Sequence, residues 1–200
     1  MNPIEALNRS AFLWINASPA TPTWLIKLAS FIADDFILLI PALFVTLWLW
    51  GDDAKRNHTL KAVSVVALSL GVNQLIGLVW QHPRPSMIGL GHTWIAHAAD
   101  SSFPSDHMTV FAGIAVTLLL DGMAGLGLTT LVLGLGVAWA RVFLGVHFPL
   151  DMVGAIIVAL IAYALVHPLW QRVGSTITDL ALRSYRLILS RPIAAGWVRR

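Results

Sequence analysis

Arg141-Val-Phe-Leu-Gly-Val-His147-Phe-Pro-Leu-Asp151 joins two apolar runs, Leu126–Phe143 and Met152–Trp170. A charged turn between two such runs reads as the hinge of two membrane-spanning helices. A spanning helix needs about 20 apolar residues. Three further runs upstream meet or approach that length: Phe36–Trp50, Leu60–Trp80 and the shorter Met108–Leu120. Of the 200 residues, 57% are hydrophobic and only 12% are charged. The mean hydropathy is +0.75, and a soluble domain holds nearer 45–50% apolar residues. The expected fold is all-α: one polytopic membrane helical bundle over residues 1–200 with about five spanning helices.

The N-terminus differs from the rest. Ile4–Ile15 and Trp24–Ala33 are too short to span and are parted by Ser18-Pro19-Ala20-Thr21-Pro22. They read as an interfacial or re-entrant helical pair within residues 1–34, with one kinked sixth span as the competing reading. The spanning core is expected over 35–170, and a basic amphipathic tail over 171–200. Asp34 and Asp35 are expected to cap the first span or to shape a substrate mouth. No cleavable leader is expected, because Glu5, Arg9 and Asn16 interrupt the first apolar stretch. The net charge of +3 is no nucleic-acid signal, and the absence of cysteine excludes disulfides and thiolate metal sites.

Lys55 and Arg56 follow the first span, and Arg172, Arg183, Arg186, Arg191, Arg199 and Arg200 follow the fifth. The positive-inside rule puts both groups on the cytoplasmic face. Span parity then brings the 81–107 loop and the 141–151 turn together on the outer face. Arg84, His107, Arg141, His147 and Asp151 share that face. Ionisable groups beside apolar runs are expensive and generally functional.

Their spacing suggests phosphate chemistry. Asp151 lies one helical turn from His147, and Pro149 suits the first turn of a helix. The carboxylate can fix one imidazole nitrogen and leave the other as nucleophile or base. Arg141 and Arg84 present planar forks of donors to an anion. Ser105-Asp106-His107 opens the third span, where backbone N–H groups form an anion site. His107 stands beside that site as a candidate general acid. Asp106 reads as a helix cap, as a group tuning His107, or as a contact to a second phosphate through a cation. His97 and Asp100 are candidates for supporting roles nearby.

Each residue also has a plainer reading. A boundary histidine is commonly a satisfied interfacial residue, Arg84 fits an interfacial anchor, and Arg141 fits a snorkelling span end. A transporter is the competing class, but the charges cluster at one face and leave the span interiors apolar. A metalloenzyme built on His107, His147 and the two aspartates conflicts with paired arginines that repel a cation.

Pro104-Ser105-Asp106-His107 and Arg141-x5-His147-x3-Asp151, preceded by Arg84-Pro85, resemble the type 2 phosphatidic acid phosphatase superfamily. Its signature runs Lys-x6-Arg-Pro, Pro-Ser-Gly-His and Ser-Arg-x5-His-x3-Asp. Here Gly77 stands at the lysine position, Ala140 at the serine and Asp106 at the glycine. Asp106, with the whole-chain pattern, is similar to bacterial undecaprenyl-diphosphate phosphatases of the bacitracin-resistance type. The resemblance implies hydrolysis of undecaprenyl diphosphate at the outer face of the bacterial inner membrane, in lipid-carrier recycling. It implies that His147 forms a phosphohistidine, Asp151 orients it and His107 protonates the leaving oxygen. Arg84, Arg141, Ser105 and Asp106 would surround the phosphates. It implies no metal and no cofactor. The implied partners are a polyprenyl diphosphate and membrane lipids. Phosphatidylglycerol phosphate and phosphatidic acid are the alternative substrates.

Overall fold

A computed structural model describes residues 2–200 as an all-helical chain. Helix α1 (Pro3–Ile15) starts at Asn2, whose side chain accepts a bond from the Ile4 N–H at 3.0 Å, and Pro3 needs no donor there. Helix α2 (Thr23–Asp35), a 3-10 turn (Phe36–Leu38) and α3 (Leu39–Trp50) follow.

The last three elements form one apolar helical run of 28 residues, Thr23–Trp50, long enough to cross a membrane. The second N-terminal piece is therefore continuous with the first span, not a separate interfacial helix. Pro41 accounts for the tight turn at the junction. It lacks an N–H and crowds the carbonyl four residues back. Asp35 makes no side-chain cap bond, and Asp34 lies 3.8 Å from Arg141. The carboxylate pair that reads as a boundary is absorbed inside the helical run.

Helix α4 (Asp53–Val79) has 27 residues, with Asp52 as its cap accepting from the Lys55 N–H at 2.8 Å. Helix α5 (Asp106–Leu120) has only 15 residues and sits at the centre, touching α4, α6 (Ala124–Phe143) and α7 (Pro149–Ile188). In lipid, packing rather than hydrophobic burial drives helix association, so small residues set close approaches. Gly134 of α6 is such a place: a Cβ there would meet the Phe111 Cβ of α5 at 2.6 Å. Phe111, Ile114 and Leu118 pack with Val137 and Ile40 in the middle of the bundle. Met108 and Ala112 pack with Phe148, Met152 and Phe12 nearer the charged end.

The tail continues the last span as one helix, with a single buried stripe at Gly174, Thr178, Leu182 and Tyr185. Helix α7 runs on for 40 residues, through Pro168, about 60 Å at 1.5 Å per residue. A short α8 (Ser190–Ala194) then turns the chain back. The fully buried Arg56 explains the return. Its guanidinium donates to the Trp48 and Arg199 carbonyls at 2.9 and 2.7 Å and stacks 4.5 Å over Tyr185. The Arg199 N–H donates to Leu49 O at 2.9 Å. Basic residues after the first and fifth spans thus meet at one end, as parity requires. Replacing Arg56 with methionine removes the donor to the Trp48 carbonyl and leaves the Arg199 carbonyl with the Tyr185 hydroxyl alone. We expect a loss of about 2–4 kcal/mol, read as a lower thermal unfolding midpoint in detergent with kcat unchanged.

Candidate active site

The opposite end is built around the turn from α6 to α7. Gly145 makes that turn at φ 85, where a side chain would strain and would also collide with the His92 carbonyl. The chain then extends through His147 and Phe148, and Pro149 opens α7. Asp151 is the third residue of that helix. Its Oδ2 accepts from the Phe148 N–H at 2.8 Å, closing the first turn. Asn8 of α1 adds a second cap by accepting from the Leu150 N–H at 3.1 Å.

The capping carboxylate also faces the imidazole. His147 Nδ1 lies 3.1 Å from Asp151 Oδ2 and 2.9 Å from the Ser102 carbonyl. Both are acceptors, which assigns the proton to Nδ1 and leaves Nε2 unprotonated, with its lone pair facing Arg84. The Ser102 hydroxyl donates to the same Asp151 oxygen. His147 is 2% exposed and Asp151 0%. Burial first, then the guanidinium groups of Arg84 and Arg141, holds His147 well below the usual imidazole range. The ring is neutral at physiological pH, as a nucleophile must be.

Arg84 reaches this turn from the 80–105 loop. Its Nη1 donates to the Val146 carbonyl at 2.8 Å and lies 3.2 Å from His147 Nε2. Its Nε and Nη2 donate to Asp100 Oδ1 and the Ser101 carbonyl at 2.9 and 3.2 Å. Span parity brought these two loops to one face, and the structure joins them by hydrogen bonds. Arg84 and His97 hold the Asp100 carboxyl below its ordinary range against the opposing effect of burial.

These groups open onto a cavity of about 620 Å³, whose walls include Gly77, Arg84, Asp106, His107 and His147. Ser105 is fully buried, and its Oγ has no partner among the described residues. It precedes α5 without a side-chain cap bond. Asp106 is the first residue of α5 rather than its cap. Its carboxylate accepts from Asn73 Nδ2 at 2.8 Å and Gln74 Nε2 at 3.4 Å. On α4, at and beside the position of the signature lysine, the wall presents Gln74 and Gly77, and Gln81 follows just past the helix. No cation from that helix lines the cavity among the described residues.

Arg141 stands apart from the expected clamp. It is 2% exposed and does not line the cavity. Its Nη1 donates to the Ala33 carbonyl at 3.1 Å, and its Nε has no partner among the described residues. The guanidinium pins α2 to the C-terminal end of α6, and its field still reaches His147. Sequence reading missed Ser102, Asn73 and Asn8. A buried polar residue in an apolar helix needs a partner, which is the signal that Asn73 and Asn8 offered.

A family model described as the PAP2 superfamily matches residues 58–175. The chain is 41% identical over 196 residues, 98% of its length and 99% of the relative's, to YbjG of Escherichia coli (strain K12), which is named as an undecaprenyl-diphosphatase. It is 33% identical over 161 residues, 80% of its length and 82% of the relative's, to the undecaprenyl-diphosphatase BcrC of Bacillus subtilis (strain 168). The crystal structure of Aquifex aeolicus LpxE superposes with a TM-score of 0.67 at 19% identity, covering 81% of this chain and 95% of that one. That likeness shows the shared fold.

Proposed function

The chain belongs to the PAP2 superfamily, and from that premise we infer that it is a membrane phosphatase hydrolysing undecaprenyl diphosphate to undecaprenyl phosphate and inorganic phosphate. Identity along nearly the whole chain to undecaprenyl-diphosphatases supports the substrate. The observation that carries the chemistry is the buried His147–Asp151 pair, with an unprotonated Nε2 held by Arg84 at the edge of a polar cavity.

The mechanism assigns each group a step. His147 Nε2 attacks the terminal phosphorus, and the bond from that phosphorus to the bridging oxygen breaks. His107 gives its proton to that oxygen as undecaprenyl phosphate leaves. His107 then takes a proton from water, which attacks the phosphohistidine and releases phosphate. Asp151 holds the Nδ1 proton throughout and offsets the positive charge that develops on the ring. Arg84, the Ser105 hydroxyl and the N–H groups opening α5 hold the equatorial oxygens. Positioned positive charge of this kind is the main source of rate in phosphoryl transfer. Arg84 exchanges its contacts with Asp100 and His147 for the phosphate, and Arg141 adds its field from behind the wall.

A second cavity of about 300 Å³ lies between α4 and α7 and shares Phe103 with the first. Its walls are apolar side chains and Gly154, so it suits the isoprene units nearest the diphosphate. The Phe103 ring fills the place where a Gly154 Cβ would stand. Gly154→Leu is expected to raise KM for undecaprenyl diphosphate about tenfold with a smaller change in kcat, measured by phosphate release.

The reading places the site on the periplasmic face of the bacterial inner membrane, within lipid-carrier recycling and bacitracin resistance. The chain has no cysteine, so Met87→Cys, on the exposed outer loop, is a unique label. An impermeant thiol reagent is expected to modify it in intact cells, and protection there would invert the topology. A side-by-side assay of purified protein on lipid monophosphates and diphosphates tests the substrate. Preference for undecaprenyl diphosphate supports the reading, and preference for phosphatidic acid or phosphatidylglycerol phosphate overturns it.

The low-lying His147 imidazole sets the pH dependence. An unperturbed imidazole protonates near about pH 6.5. Burial and the arginines depress this one in the folded state. Its neutral form therefore persists as pH falls through that value. Single-turnover enzyme phosphorylation is expected to hold its rate from pH 7.5 to 6. A tenfold fall over that interval would contradict a depressed His147.

A further inference from the structure

We propose that Ser102 is a positioning residue for the nucleophile, acting through both its main-chain carbonyl and its hydroxyl. The proposal rests on His147 being the attacking group. Ser102 is fully buried and belongs to none of the sequence elements that suggested the chemistry. Its N–H donates to the His82 carbonyl at 2.8 Å, which anchors the segment before α5. Three residues on, the Ser105 N–H donates to the Asp151 carbonyl at 3.2 Å. Between these ties, Ser102 meets both members of the pair.

The geometry divides its two roles. At 2.9 Å, the Ser102 carbonyl is nearer to His147 Nδ1 than the Asp151 carboxylate at 3.1 Å. It therefore helps to fix the tautomer that leaves Nε2 free. The hydroxyl donates to Asp151 Oδ2, the same oxygen that takes the Phe148 N–H and faces the imidazole. Asp151 Oδ1 has no partner among the described residues. One carboxylate oxygen thus carries the helix cap, the imidazole and the serine together. Without the hydroxyl, only the Phe148 N–H and the imidazole N–H, itself shared with the Ser102 carbonyl, hold that oxygen, and the buried carboxylate is freer to rotate. A mis-set carboxylate slows attack without touching the substrate.

The test uses the full-length protein in detergent with undecaprenyl diphosphate. Ser102→Ala is expected to lower kcat about tenfold while KM and the thermal unfolding midpoint hold. Ser102→Thr, which keeps a hydroxyl, is expected to recover most of that rate. Ser102→Gly removes the hydroxyl independently and is expected to match Ser102→Ala. In an Asp151→Asn background, Ser102→Ala is expected to add less than twofold, because residues acting as one unit are not additive. Unchanged kcat in Ser102→Ala, equal loss in Ser102→Thr, or a full tenfold further loss on top of Asp151→Asn would each overturn the assignment. Failure of the unsubstituted protein to release phosphate would instead overturn the functional reading itself.

Discussion

His147→Ala is expected to lower phosphate release from undecaprenyl diphosphate by at least about ten-thousand-fold. The variant keeps Asp151, because the Phe148 N–H and the Ser102 hydroxyl still hold the carboxylate. It keeps Arg84, because the Val146 and Ser101 carbonyls still anchor the guanidinium. Substrate binding should therefore survive, and the loss should fall on kcat. What disappears is the unprotonated imidazole nitrogen that the Asp151 and Ser102 contacts turn toward Arg84 at the cavity edge. Water left in its place lacks a base at the same position. Turnover within tenfold of the unsubstituted protein would remove His147 from the mechanism.

The second large effect is expected at Arg84. It is the one Lys or Arg among the described residues lining the cavity. A family signature normally brings a lysine from the preceding helix, and here Gly77 leaves that place uncharged. The charge developing on the transferring phosphoryl group thus leans heavily on one guanidinium. Arg84→Ala is expected to cost about a thousandfold in kcat/KM, measured by steady-state phosphate release. Arg84→Lys should recover only part of it, because an ammonium cannot reproduce the planar fork. Asp100 competes for the same guanidinium at 2.8 Å. Asp100→Asn should accordingly lower KM severalfold while leaving kcat near its original value. A rise in KM would show that Asp100 presents Arg84 to the substrate instead of restraining it.

The parts legible in the sequence were those fixed by short-range spacing or by counting spans. His147 and Asp151 are one helical turn apart, so their pairing needed no knowledge of the rest of the chain. Arg84 reached the same place through parity: five spans put both loops at one end. Membrane class followed from composition, since only helices or closed barrels satisfy the backbone in lipid.

What escaped depended on contacts across the chain. Ser102 meets Asp151 over 49 positions, and a serine before Phe-Pro looks like any loop residue. Asp34 and Asp35 suggested a boundary because bare carboxylates avoid lipid, yet Arg141 faces Asp34 inside a continuous helical run. That same contact draws Arg141 toward α2 and away from the cavity wall. The arginine-rich tail suggested an amphipathic segment, and its single buried stripe agrees; that Arg56 and Tyr185 hold its returning end through the Arg199 carbonyl was not legible. Each of these outcomes turns on which distant group supplies a partner, and periodicity carries no record of it.

The two departures at Gly77 and Asp106 acquire a common setting. Both face the same cavity, one on α4 and one at the start of α5. Asn73 and Gln74, one turn before Gly77, hold the Asp106 carboxylate. The wall that would carry a lysine instead carries carboxamides tied to an aspartate. This exchange is the clearest local difference between this site and the signature it resembles.

The mechanism requires a covalent phosphoryl group on His147. Rapid acid-free quenching of the enzyme with undecaprenyl diphosphate labelled in its terminal phosphate, followed by peptide mapping, measures it directly. The expected result is a burst of label on His147 that is stable to alkali and lost in acid, and that is absent from His147→Ala. Burst-free turnover with no protein-bound phosphate, or label on any other residue, would contradict it.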